Sequence, residues 1–280
     1  MTSIRGSILM GVMIVALSGS GAMAADLNGG SIKDGYIPAP PTMSAPSASW
    51  YVRLDGGHSR FDDPIMVEDH IYDLVDTGIE STWSIGGGIG RHLGHGFRFD
   101  VTYDYRMEAD AHGFLQNHAA LLDGTREFGL KSHLLLANLY YDFNSGGRFS
   151  PYIGAGLGWV RHTTTEGTVT DTCGCTGTID GATNDSVAAA LMAGVTINLT
   201  AGRGHGSVVE GGSTKDAPVM VSSNRGLLLD IGYRYLYLGD AATGAVTGDF
   251  GGGLIEVSED PVVENIHAHE FRFGLRYNLN

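Results

Sequence analysis

Residues 97–106 read FRFDVTYDYR and alternate without a slip. Phe97, Phe99, Val101, Tyr103 and Tyr105 leave one side, and Arg98, Asp100, Thr102, Asp104 and Arg106 leave the other. Successive side chains on a strand point to opposite faces, so this segment separates an aromatic face from an ion-pairing one. Which face is the interior decides the fold. A water-soluble sheet would hide the aromatic face; a membrane sheet would hide the charges.

The same alternation recurs along the chain. Eight candidate strands begin near Trp50, Trp83, Phe97, Lys131, Pro151, Ser186, Leu227 and His267, separated by Gly-, Asp- and Asn-rich stretches. None carries sustained helical periodicity. One face gathers aliphatic and aromatic residues. The other sets Arg53, Arg98, Arg106, Arg234, Arg272 and Arg276 against Asp55, Asp100, Asp104, Asp142, Asp230 and Glu270, with glycines such as Gly86, Gly154, Gly232 and Gly274 between them.

With strands running alternately up and down from a periplasmic start, the apolar face sorts by height. Trp50, Phe97, Tyr141, Phe143 and Tyr277 fall at the lower end, and Trp83, Tyr103, Tyr105, Trp159, Tyr235 and Tyr237 at the upper end. Val, Leu, Ile and Ala lie between. Two aromatic girdles around an aliphatic band mark a membrane barrel, because amphipathic rings favour both interfaces of the bilayer. The sequence thus predicts an all-β fold, an eight-stranded antiparallel up-and-down transmembrane barrel over 50–280. Its apolar face meets lipid and its charges line the lumen. Eight strands leave an interior that side chains can fill. Six arginines against six acids read as a neutral ion-pair plug, which counts against both a wide pore and an acid–base active site.

The rest of the chain agrees. Arg5, the apolar run Ile8 to Leu17 and the Ala22-Met23-Ala24 site form a signal peptide over 1–24. Ten apolar residues fall short of the about 20 that a membrane-crossing helix needs. Residues 25–49 hold four of the eight prolines and read as an extended periplasmic linker. A composition of 43 Gly, 12 Tyr and 17% charged residues suits strands that cross a membrane. The net charge of -14 argues against nucleic-acid, heparin or anionic-lipid binding as a general activity. Short joints at 93–96 and 144–150 alternate with long, mostly acidic ones at 58–82, 106–130, 161–185 and 239–266, as periplasmic turns alternate with extracellular loops. Residues 200–226 break that rule and read as an insertion between the sixth and seventh strands.

The stretches ANLYYDF (137–143), PYIGAGLGW (151–159), LLLDIGYRYLYLG (227–239) and HEFRFGLRYNLN (269–280), in this order and with the signal and Pro-rich leader, resemble the eight-stranded outer-membrane proteins of the opacity and immunogenic type, akin to the OmpA membrane domain. The resemblance covers nearly the whole chain after residue 49. It implies surface antigens, adhesins, envelope stabilisers or narrow porins, with no catalytic residue to carry over and no cofactor. The implied partners are outer-membrane lipid and lipopolysaccharide, the barrel-assembly machinery, and host or surface ligands at the loops. Two departures stand out: the 200–226 insertion, and an end at Asn280 with Tyr277 three positions before it, where such barrels usually finish on an aromatic residue.

Four short motifs compete with this non-enzymatic reading. Cys173-Gly-Cys175 lies in the third outer loop; a small intraloop disulfide is favoured over a soft-metal pair or an intermolecular bridge, since only His162 shares that loop as a further ligand. In His267-Ala-His269-Glu270 the two imidazoles share one strand face and the carboxylate takes the other, so they read as an interface anchor rather than a metal site. Ser132 and His133 are adjacent on a strand and point apart, which disfavours a nucleophile–base pair. GGGIGRHLG (86–94) is a strand entering a turn, not a nucleotide loop.

Overall fold

The computed structural model describes residues 49–68, 72–116, 124–143, 148–171, 176–200, 226–249, 254–258 and 261–279. The segments read above as signal peptide (1–24) and linker (25–49, all but its last residue), Cys173 and Cys175, and most of residues 200–226 lie outside the described residues. Eight long strands form the body: β1 (Trp50–Phe61), β2 (Thr82–Gly94), β3 (Phe97–Leu115), β4 (Gly124–Asp142), β5 (Phe149–Thr164), β6 (Thr183–Asn198), β7 (Gly226–Tyr237) and β8 (His267–Asn278). Each pairs antiparallel with its sequence neighbours, and β1 pairs with both β2 and β8, so the sheet closes into a barrel with no free edge. A tight turn joins β2 to β3, where Gly94, His95 and Gly96 all adopt positive φ.

Exposure alternates along every long strand, with the apolar face outward. Leu54, Ile85, Leu157, Val187, Leu191 and Phe271 stand exposed, while Arg98, Asp100, Asp104, Arg106, Arg234 and Glu270 are buried. Such an inverted pattern is stable only where hydrocarbon wets the outside, because each exposed apolar side chain would otherwise forgo about 1.5–3 kcal/mol of burial. No helix among the described residues is long and apolar enough to cross a membrane, and the strands span it instead.

The long joints differ from the sequence reading, which takes them as polar loops. Much of their length is strand. β3 continues to Leu115 and β4 begins at Gly124, and shorter strands such as Ile65–Glu68, Tyr72–Ile79, Gly167–Asp171, Thr176–Ile179 and Val246–Asp249 extend the sheet beyond one end of the eight-stranded ring. Inside this extension the polarity reverts to that of a soluble protein. Met66, Phe128, Leu130, Val169, Ile179, Val246, Val263 and Ile266 form a buried apolar core. Outside it stand Glu108, Asp110 and Glu127.

On β3 the change of regime has a defined joint. Its inward residues are even-numbered up to Arg106 and odd-numbered from Ala109, through Ala111 to Leu115. The register against β4 slips between Arg106 and Ala109: Arg106 faces Ser132, whereas Ala109 faces Leu130. Three steps on β3 therefore match two on β4. One extra residue, at Met107–Glu108, makes a β-bulge that exchanges the two faces.

Candidate functional site

The interior chemistry is concentrated in the lumen, in two linked tiers. In the lower one, Arg53 donates to Asp55 at 2.7 Å and to Asp100 at 2.9 Å, and Asp100 also accepts from Tyr51 Oη and Asn138 Nδ2. Arg98 pairs with Asp142 at 3.1 Å, its guanidinium lying over the Tyr140 ring at 3.9 Å. Arg276 pairs with Asp230 at 3.3 Å. In the upper tier Glu270 meets Arg106 and Arg234, each at 2.7 Å, and accepts hydroxyl bonds from Ser59 and Ser84. Asp104 accepts from Arg234 at 2.8 Å and Arg272 at 3.1 Å. Arg272 also reaches Asp55 at 3.2 Å, which joins the tiers. All twelve charges named above thus have an opposite partner inside the barrel. Between side chains as buried as these, charge-assisted bonds of this length are strong and an unmatched charge would be costly.

Glycines make the space. Asp55 lies between Gly86 on β2 and Gly274 on β8, and Gly86 also faces Asp104 on β3. A Cβ on Gly86 would overlap Asp104 Oδ1, and one on Gly274 would overlap Asp55 Oδ1. Gly86→Ala is therefore expected to push Asp104 off its two arginines and to cost about 1–3 kcal/mol, the range for overpacking. A lowered urea midpoint for the refolded barrel checks this, and an unchanged midpoint would show that the network yields freely.

Other candidates separate by face. His133 points outward, with Tyr103 Oη at 2.6 Å from its Nδ1. His267 and His269 are outward on β8, and Glu270 is inward. His267 stacks on Tyr235 at 5.5 Å, and His269 Nε2 lies 3.0 Å from Asp62. Among the described residues no group of three metal-ligating side chains converges. Ser132 has a partner that the sequence reading does not supply: its Oγ lies 2.8 Å from His162 Nδ1, and His162 Nε2 lies 2.8 Å from the Leu238 carbonyl. That carbonyl can only accept, so Nε2 carries the proton and Nδ1 accepts from the serine hydroxyl. The signal was present in the sequence, as both residues have inward parity on neighbouring strands. Ser132 and His162 are 4% and 0% exposed, so the pair satisfies two buried polar side chains at the base of the apolar core, and among the described residues His162 Nε2 meets a backbone carbonyl where a triad would place a carboxylate. Just above the girdle, Lys131 hydrogen-bonds Glu108 at 2.7 Å and holds its carboxyl below the usual carboxylate range.

A closed eight-stranded ring with lipid-facing aliphatics and a paired lumen is the fold that the family comparison also finds: the model of the outer membrane protein beta-barrel domain matches residues 14–278. The chain belongs to that outer-membrane β-barrel family. Its place is therefore the outer membrane. An uncharacterized protein of Brucella abortus is 26% identical over 266 residues, covering 83% of this chain and 85% of the relative. Among solved structures, Neisserial surface protein A shares 19% identity with a TM-score of 0.40, over 83% of this chain and 99% of the other. OprG from Pseudomonas aeruginosa shares 13% with a TM-score of 0.46, over 82% and 96%.

Proposed function

We propose that the protein is a non-catalytic outer-membrane barrel whose work is done by its walls and its extracellular end: a structural and surface-interaction protein rather than a channel. The observation that carries this reading is the filling of the interior. The charged tiers hold Arg98, Arg106, Arg234, Asp100, Asp104 and Glu270 at no more than 1% exposure, and an apolar core sits above them. A solute would have to break several buried ion pairs, each costly to separate. The exposed acids of the extension, Glu108, Asp110 and Glu127, give the outer end a negative surface suited to cationic ligands.

Reconstitution of the purified protein into planar bilayers tests the reading. The expected result is no steady ohmic conductance in the wild type. A conductance that persists through extensive purification, with ion selectivity altered by Asp104→Asn, would replace this reading by that of a narrow porin. Turnover of a phospholipid or acylated substrate abolished by Ser132→Ala would replace it by that of a lipid-modifying enzyme.

A further inference from the structure

The lipid-facing wall is not uniform. It is hollowed into a groove of about 440 Å³, centred on β1, β2 and β8 and reaching Met107 of β3 and Leu229 of β7, whose lining includes Leu54, Gly56, Trp83, Ile85 and Phe273. The hollow follows from the register. Gly56 has outward parity and lies between Ile85 on β2 and Phe273 on β8, so a side chain is missing in the middle of an otherwise bulky surface. A Cβ built on Gly56 meets only the Ser84 carbonyl, at 3.9 Å. The position is open toward the membrane, and the glycine is not demanded by local crowding.

Directly above the groove the chemistry changes. His58 follows Gly56 on the same face, with its ring edge-on to Trp83 at 4.8 Å, and faces Phe271 across the strand pair. Arg60 comes next, exposed, and faces His269. His269 is tied to the Asp62 carboxylate on one side and to Tyr233 Oη on the other. At about 3.3 Å per residue, Arg60 stands roughly 13 Å along the strand from Gly56. An apolar trench within the hydrocarbon band, a tryptophan and a phenylalanine at its mouth, then imidazole and guanidinium donors match the order of parts in one lipid: acyl chain, interfacial linkage, anionic headgroup. Guanidinium suits a phosphoryl group in particular, since its donors match two phosphate oxygens at once.

We infer that this face is a specific site for one phosphorylated lipid of the outer leaflet, with an acyl chain laid over Gly56 and the phosphoryl group held by Arg60 and His58. The site depends on the membrane location of the barrel and not on whether the lumen conducts.

The test uses the full-length protein folded in detergent micelles and exposed either to bisphosphorylated lipid A or to its dephosphorylated form, with retained lipid counted by native mass spectrometry. The wild type should keep one phosphorylated molecule through detergent exchange and lose the dephosphorylated one. Arg60→Glu removes the phosphate donor and should lower retention at least about tenfold, the equivalent of one charge-assisted hydrogen bond. Gly56→Leu fills the trench without touching the headgroup station and should lower retention of the same probe to a similar extent. The heat-modifiable gel shift of a folded barrel, unchanged in both variants, separates loss of the site from loss of the fold. Equal retention of the two lipids by the wild type, or undiminished retention in both variants, would overturn the inference. So would a wild-type dimer that Gly56→Leu dissolves while lipid retention persists, for then a second copy occupies the groove.

Discussion

Glu270→Ala is expected to lower the unfolding free energy by about 3–5 kcal/mol, the cost of breaking a buried ion pair by removing one partner. Glu270 is the acceptor around which the upper tier is arranged, with Arg106, Arg234, Ser59 and Ser84 converging on its two oxygens at 0% exposure. Without it two guanidinium groups remain in the lumen and Asp104 is the acid left to share between them, although Asp104 already holds Arg272. Urea unfolding in lipid vesicles, followed by tryptophan fluorescence, gives the loss. Adding Arg106→Met to Glu270→Ala should restore part of it, since residues of one network are non-additive. If the two losses added and each stayed below about 1 kcal/mol, the lumen charges would be behaving as solvated surface pairs and the filled-barrel reading would fail.

The second large effect lies on the opposite face. Leu191→Arg and Phe273→Arg place a guanidinium where the wild-type side chains are 64% and 58% exposed to hydrocarbon. Near the membrane midplane each should cost about 2–4 kcal/mol. Loss of the gel shift and a lowered urea midpoint are the readouts. The same face carries the exposed Lys131–Glu108 pair at the bulge, beyond the uniformly apolar band, so the penalty is expected to follow height and not facing outward as such. Wild-type folding of both variants would mean that these strands are assigned to the wrong face.

The membrane ring was legible because its two periods coincide. Strand alternation with charges on one side and aromatics on the other admits one orientation once the aromatics sort by height, and all eight strands begin within a few residues of where alternation places them, the seven-residue early start of β4 apart. The partners within the lumen were harder to read. That Arg53 takes Asp100 and Arg98 takes Asp142 depends on barrel register, which alternation leaves open. The extension was not legible at all. Its interior on β3 is Ala109, Ala111, Gly113 and Leu115, interleaved with Asp110 and His112; small inward residues alternating with polar ones look like loop composition. Its short strands also pair far along the chain, as Val246–Asp249 does with Thr176–Ile179, so no local stretch announces them.

The bulge at Met107–Glu108 gives β3 a parity rule for change in length. Two residues gained or lost above it leave each surviving side chain on its own face, whereas one exchanges core for surface along the whole upper strand. Because the joint lies between the two regimes, the extension can lengthen, shorten or diversify in steps of two while the ring in the membrane keeps its register. Variation and anchorage are thereby separated within a single strand, and the part beyond the bulge can diverge without renegotiating the part that holds the protein in place.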